Sequence, residues 1–108
     1  MGKYMVIASY TADGAAGLLK DGGSARVKAV EAVASGVGGK VESFYFGFGS
    51  DDVYVVLDLP DHASAAATSL VVGASGAVNA RTIVLMTPPD IDAAAEASKG
   101  LQYRRPGG

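Results

Sequence analysis

Between Val53 and Leu59 every second side chain is aliphatic. Val53, Val55, Leu57 and Leu59 fall on one face of an extended segment, and Asp52, Tyr54, Val56 and Asp58 on the other. The stretch before it, Val41 to Phe48, carries apolar or aromatic side chains on both faces, and Gly49-Ser50-Asp51-Asp52 between them is a run of turn formers. Together they predict a β-hairpin from Gly38 to Pro60 in a sheet that needs cover on both sides. The aliphatic row predicts the helix-packed face, and the Tyr/Asp row a face turned toward something else.

The rest of the pattern supplies the other elements. Lys3 to Tyr10 reads as a first strand, with Tyr4, Val6, Ala8 and Tyr10 on one face and Met5 and Ile7 on the other. Gly14 to Lys20 predicts no more than a short helical turn. Ser24 reads as the N-cap of a helix to about Ser35, with Val30, Val33, Ala34 and Val37 forming its apolar stripe. Gly36, Gly38 and Gly39 stop it. Pro60 closes the third strand, Asp61 caps a second helix from Ala63 to about Val72, and Val78 to Met86 is a fourth strand. Thr87-Pro88-Pro89-Asp90 opens a last helix over Ile91 to Ser98, because proline is tolerated in a first turn. The order is βαββαβ with an extra C-terminal helix, the ferredoxin-like α+β arrangement, in a single domain over 1–100 with a tail at 101–108. Such a chain has helices for about one face of the sheet. The other face calls for a second copy, a ligand, or both.

Composition narrows the class. With 108 residues, 49% of them apolar and 19% charged, the chain has enough material for one core. No apolar run approaches the ~20 residues needed to cross a bilayer, and Met5 to Ala8 is too short for the apolar region of a secretion signal. A cytoplasmic protein is expected. The absence of cysteine excludes disulfides and thiolate chemistry. A net charge of −2 and a pI near 5.1 speak against nucleic acid and anionic membranes as partners. His62, the only histidine, begins a helix beside Asp61 and is expected at the surface, where it makes no zinc site. No metal and no cofactor are expected.

Several stretches carry a family likeness: Tyr4 with Tyr10-Thr11-Ala12-Asp13-Gly14, then Gly22-Gly23-Ser24-Ala25-Arg26, then Gly38-Gly39-Lys40-Val41-Glu42-Ser43-Phe44-Tyr45-Phe46, and the turn Gly49-Ser50-Asp51-Asp52-Val53. In these the chain resembles the GYD family of small bacterial proteins, which belong with the dimeric α+β barrels. Gly49 and Asp52 match the glycine and aspartate of the family's name, while Asp51 stands where its tyrosine is expected. The resemblance implies a homodimer, or a higher homo-oligomer, whose sheets face one another around a barrel. It implies no particular reaction.

The residues that could line such a barrel are Tyr10, Tyr45, Tyr54, Asp58 and Arg81. The three phenols could converge near one end, though aromatics populate strands and interfaces in any case, and that plainer reading is the favoured one. Asp58 and Arg81 are expected to pair across the sheet, as a structural ion pair or as the anchor of an anionic ligand. Asp51 and Asp52, being adjacent, point to opposite faces and make no acid/base dyad. Phe46-Gly47-Phe48 shares its Gly-aromatic pattern with RNA-recognition strands, but acidic neighbours follow it and RNA binding is not expected. Gly22-Gly23-Ser24 could hold a weak anion and lacks the lysine of a phosphate loop. The tail from Tyr103 to Gly108, with Arg104 and Arg105, is expected to fray. The expected role is a homo-oligomeric small-molecule-binding or structural protein. The alternative is a cofactor-independent oxygenase or isomerase acting on a small organic molecule in the barrel.

Overall fold

The two-sided alternation of the strands builds one four-stranded sheet. The computed structural model describes residues 1–108. Its elements are β1 (Gly2–Tyr10), α1 (Ala12–Asp21), α2 (Gly23–Gly36), β2 (Lys40–Phe46), β3 (Val53–Leu59), α3 (His62–Ala74), β4 (Val78–Leu85) and α4 (Pro88–Ser98). The strand order is β2-β3-β1-β4, with every neighbouring pair antiparallel, and the fold is ferredoxin-like α+β as expected. No helix is long and apolar enough to cross a membrane.

The core lies on one side of the sheet. Tyr4 and Ala8 of β1 and Val53, Val55, Leu57 and Leu59 of β3 are buried there, joined by Ala34 of α2 and Ala65 of α3. Leu57 and Leu59 are fully enclosed. The aliphatic row of the third strand is thus the helix-packed row, because β3 is central and must bury one face completely. β2 carries an irregularity between Val41 and Ser43 that leaves Glu42 out of the pairing.

Two local expectations need correction. The segment after β1 is a full helix, α1, and not a short turn. Thr11 caps it: its Oγ1 accepts the Gly14 N–H at 3.1 Å and donates to the Gly76 carbonyl at 2.8 Å. Gly14 is buried against the backbone before β4, where any Cβ would collide with the Ala77 carbonyl. Those ties hold a helix whose glycines lower its local propensity. The second correction concerns α2, whose N-cap is Gly22 and not Ser24. Gly22 takes φ of 83°, a region open to glycine, so α2 begins immediately after α1 ends.

The remaining caps follow the sequence. The Asp61 carboxylate accepts the Ser64 N–H at 2.8 Å and starts α3. Thr87 and Asp90 form a reciprocal capping box at the start of α4. Every residue of α4 and of the tail is exposed, including Ile91, Leu101 and Tyr103. The molecule extends over 55 × 35 × 22 Å, and its radius of gyration of 17.2 Å exceeds the roughly 13 Å of a compact chain of this length.

Candidate functional site

The sheet face away from the helices holds four of the five sequence candidates, but it does not bring them together. Arg81, Ile7, Tyr54 and Tyr45 form one row across β4, β1, β3 and β2. Asp58 lies four residues further along β3, in the row of Lys3 and Leu85. Two strand spacings and four residues place the Arg81 and Asp58 backbones roughly 16 Å apart. The expected Arg81–Asp58 pair is therefore absent. Arg81 Nη2 instead meets Asp51 Oδ2 at 3.1 Å, and Ser9 donates to Asp51 Oδ1 at 3.3 Å. Asp58 Oδ2 meets Lys3 Nζ at 3.1 Å, and Lys3 also reaches Glu42 at 3.1 Å. The Glu42 and Asp58 carboxylates hold the Lys3 pKa above its ordinary 10.5. The second oxygen of Asp58, Oδ1, is buried without a hydrogen-bond partner.

Tyr10 does not join the other two phenols. It is the last residue of β1 on the row of Tyr4, Val6 and Ala8, so it faces the helices, while Tyr45 and Tyr54 pair directly on the opposite face. Its backbone N–H donates to Asp52 Oδ2 at 2.9 Å. Asp51 thus bonds Arg81 and Ser9 while Asp52 bonds the Tyr10 backbone, and no dyad forms.

On the helix side the sheet is incompletely covered. α2 packs over β2, and α3 over β4 and β3, leaving a cleft above the centre of the sheet. It encloses about 230 Å³. Its floor is Val6, Ala8 and Tyr10 of β1 with Val53, Val55 and Leu57 of β3. Val30 and Val33 of α2 form one wall, and Val71 and Val72 of α3 the other. Polar groups at the cleft are few and mostly committed. Thr68 Oγ1 donates to the Ser64 carbonyl at 2.9 Å, Ser75 Oγ to the Val72 carbonyl at 2.6 Å, and Ser69 shares a hydrogen bond with Thr82 at 2.6 Å. Arg26, in the first turn of α2, takes part in none of the four ion pairs. Burial raises the Tyr10 phenol pKa above 10.0, and the nearby Arg26 charge pulls against that rise.

A second pair was hidden from sequence reasoning. The hydroxyl of Tyr4, a residue only 3% exposed, lies 2.7 Å from Nδ1 of His62, with the two rings perpendicular and 5.8 Å apart. The pair borders a shallow groove between α3 and β4 that includes Ala66, Ser69, Thr82 and Val84. The partners are 58 residues apart, so no spacing signal links them. Arg26 did carry a signal, since a cation in the first turn of a helix opposes the helix dipole and needs another reason to be there.

Comparison with known families finds one match: the model of the GYD domain covers residues 4–95. No curated protein and no solved structure matches the chain.

Proposed function

The chain belongs to the GYD domain family, and from that premise we propose that it is a homo-oligomeric small-molecule-binding protein whose ligand enters the cleft between α2 and α3. The cleft is the observation that carries this reading. It is concave, its floor and walls are almost wholly aliphatic, and a few polar groups stand at its margin, which is the usual composition of a ligand site. The reading moves the site from the open face, where the sequence led us to expect it, to the helix-packed face. Of the five sequence candidates, only Tyr10 belongs to it.

A second copy of the chain is the proposed cover of the open face. Tyr45 and Ile83 are 70% and 44% exposed there, Met5 and Val56 are half-buried beside them, and Asp58 Oδ1 is an acceptor without a donor. A buried acceptor of this kind is costly until a donor arrives. The two parts of the proposal are tested separately. Light scattering should give a dimer or a multiple of one, and a folded monomer would remove the oligomer. A thermal-shift screen of small apolar compounds should raise the unfolding temperature, with a shift that grows with the logarithm of ligand concentration above Kd. A screen with no shift, together with a structure showing the cleft filled by side chains, would remove the binding site.

The cofactor-independent enzyme is a second reading, favoured by the Tyr4–His62 pair, because a phenol and an imidazole 2.7 Å apart can pass a proton. Turnover that survives both Tyr4→Phe and His62→Ala would remove it.

A further inference from the structure

The cleft has an uneven distribution of unused hydrogen-bonding capacity. Each of its three serine and threonine hydroxyls, on Thr68, Ser69 and Ser75, is already engaged within the chain. The Tyr10 hydroxyl and the Arg26 guanidinium make no hydrogen bond, and both line the cleft. Tyr10 ends β1 and Arg26 stands in the first turn of α2, so the two unused groups lie toward the same end of the cleft. The other end, with Val6 and Leu57, is apolar.

A guanidinium offers a planar fork of donors and accepts nothing. Its partner must be an acceptor, and an anion with two coplanar oxygens fits it best. No carboxylate of this chain fills that place, since none of its four ion pairs includes Arg26. The apolar remainder sets the size of the ligand. A dry cavity of roughly 150 Å³ holds benzene, so 230 Å³ corresponds to an apolar body of about nine carbons.

Resting on the cleft reading above, we propose that the ligand is a small carboxylic acid with a compact apolar body, its carboxylate held by Arg26 and Tyr10 and its hydrocarbon lying between Val30, Val33 and Val72. The phenol donates one hydrogen bond to the carboxylate while the guanidinium supplies the charge. The aliphatic floor contributes affinity without discriminating between head groups, so head-group specificity rests on Arg26.

Matched probes test the class and the site separately. Hydrocinnamate and hydrocinnamyl alcohol share one apolar body and differ in the head, as do octanoate and octanol. Each is titrated into the full chain and into Arg26→Gln, with binding followed by backbone amide chemical shifts. Circular dichroism checks that the exposed substitution leaves the fold intact. The expected result is that each acid binds about tenfold or more tightly than its alcohol, with shifts at Val30, Val33 and Val72, and that Arg26→Gln erases the difference. Equal binding of acid and alcohol in the wild-type chain overturns the carboxylate assignment and leaves the cleft as a site. A preference for the acid that survives Arg26→Gln overturns the role of Arg26. Absence of binding by all four probes, or shifts confined to the open face, overturns the cleft reading itself.

Discussion

The two faces of the sheet are built from the same four strands, yet they treat polar groups in opposite ways. On the helix side the hydroxyls turn inward to backbone carbonyls and to one another, and the unused donors gather at one end of a narrow cleft. On the open side the charges pair across the sheet, Lys3 with Asp58 on β3 and Glu42 on β2, and Arg81 with Asp51 in the β2–β3 turn, around a broad patch of half-exposed Met5, Tyr54 and Val56. A narrow aliphatic cleft suits a small molecule. A broad surface studded with charges suits a partner of comparable size, since paired charges set register better than they add stability. The difference separates the two halves of the proposed function: binding belongs to one face and assembly to the other.

Neighbouring residues on β3 give the sharpest way to break that comparison. Leu57→Ala removes a side chain enclosed under the helices, and chemical denaturation should show a loss of about 2–5 kcal/mol. Val56→Ala, one position away on the open face, should cost about 1 kcal/mol in an uncovered chain. Equal costs at the two positions would mean that both faces are equally buried in solution, which is what a second copy over the open face would produce.

The next effect tests how α1 is tied to the helix side. Thr11 both caps α1 and ties it to the carbonyls of Gly76 and Ala77. Thr11→Ala should therefore lower stability by about 1–2 kcal/mol in urea titration. No change in the urea midpoint would show that α1 is held against the end of β1 without help from its cap.

A smaller effect is visible only through pH. The Ser64 backbone N–H, and then its side chain, hold the Asp61 carboxyl below its ordinary 3.8, with a further contribution from the His62 charge. A depressed carboxyl stabilises the fold above its unfolded pKa, and that contribution is lost as pH falls through the folded value. The stability gap between wild type and Asp61→Ala should thus be full at neutral pH and close below pH 3.8. A gap of constant size across that window would show that the cap does not depend on charge.

The smallest expected effect lies outside both faces. Thr87→Ala opens the capping box of α4, a helix with no buried residue. An isolated helix of that length is marginal in water. Helicity should fall by circular dichroism while the urea midpoint of the domain stays in place. A shift of the midpoint, or of the oligomeric mass, would show that α4 packs on a second copy.

Much of the fold was legible because its signals are local. The alternation of Val53 to Leu59 identified the helix-packed row, the run from Lys3 to Tyr10 identified the first strand, and Asp61 and Thr87 marked two helix starts. α1 was read as a short turn because Gly14 and Gly17 weaken its propensity, and its stability comes from contacts with residues some 60 positions away. Most of the candidate site was not legible. Arg81 and Asp58 do share a face, as their positions in the strands predict, but β1 lies between their strands and the register sets them two rows apart.

By itself, the sequence determined most of the elements, the helix-packed side of β3 and the family, all of which depend on side-chain period and short motifs. The tertiary structure alone decided which charges pair, where Tyr4 meets His62, and that α2 and α3 stand far enough apart to leave a cleft with Arg26 at its edge. Those outcomes depend on strand order, register and helix spacing. They are set by packing between distant segments, and no local pattern of residues encodes the distance between them.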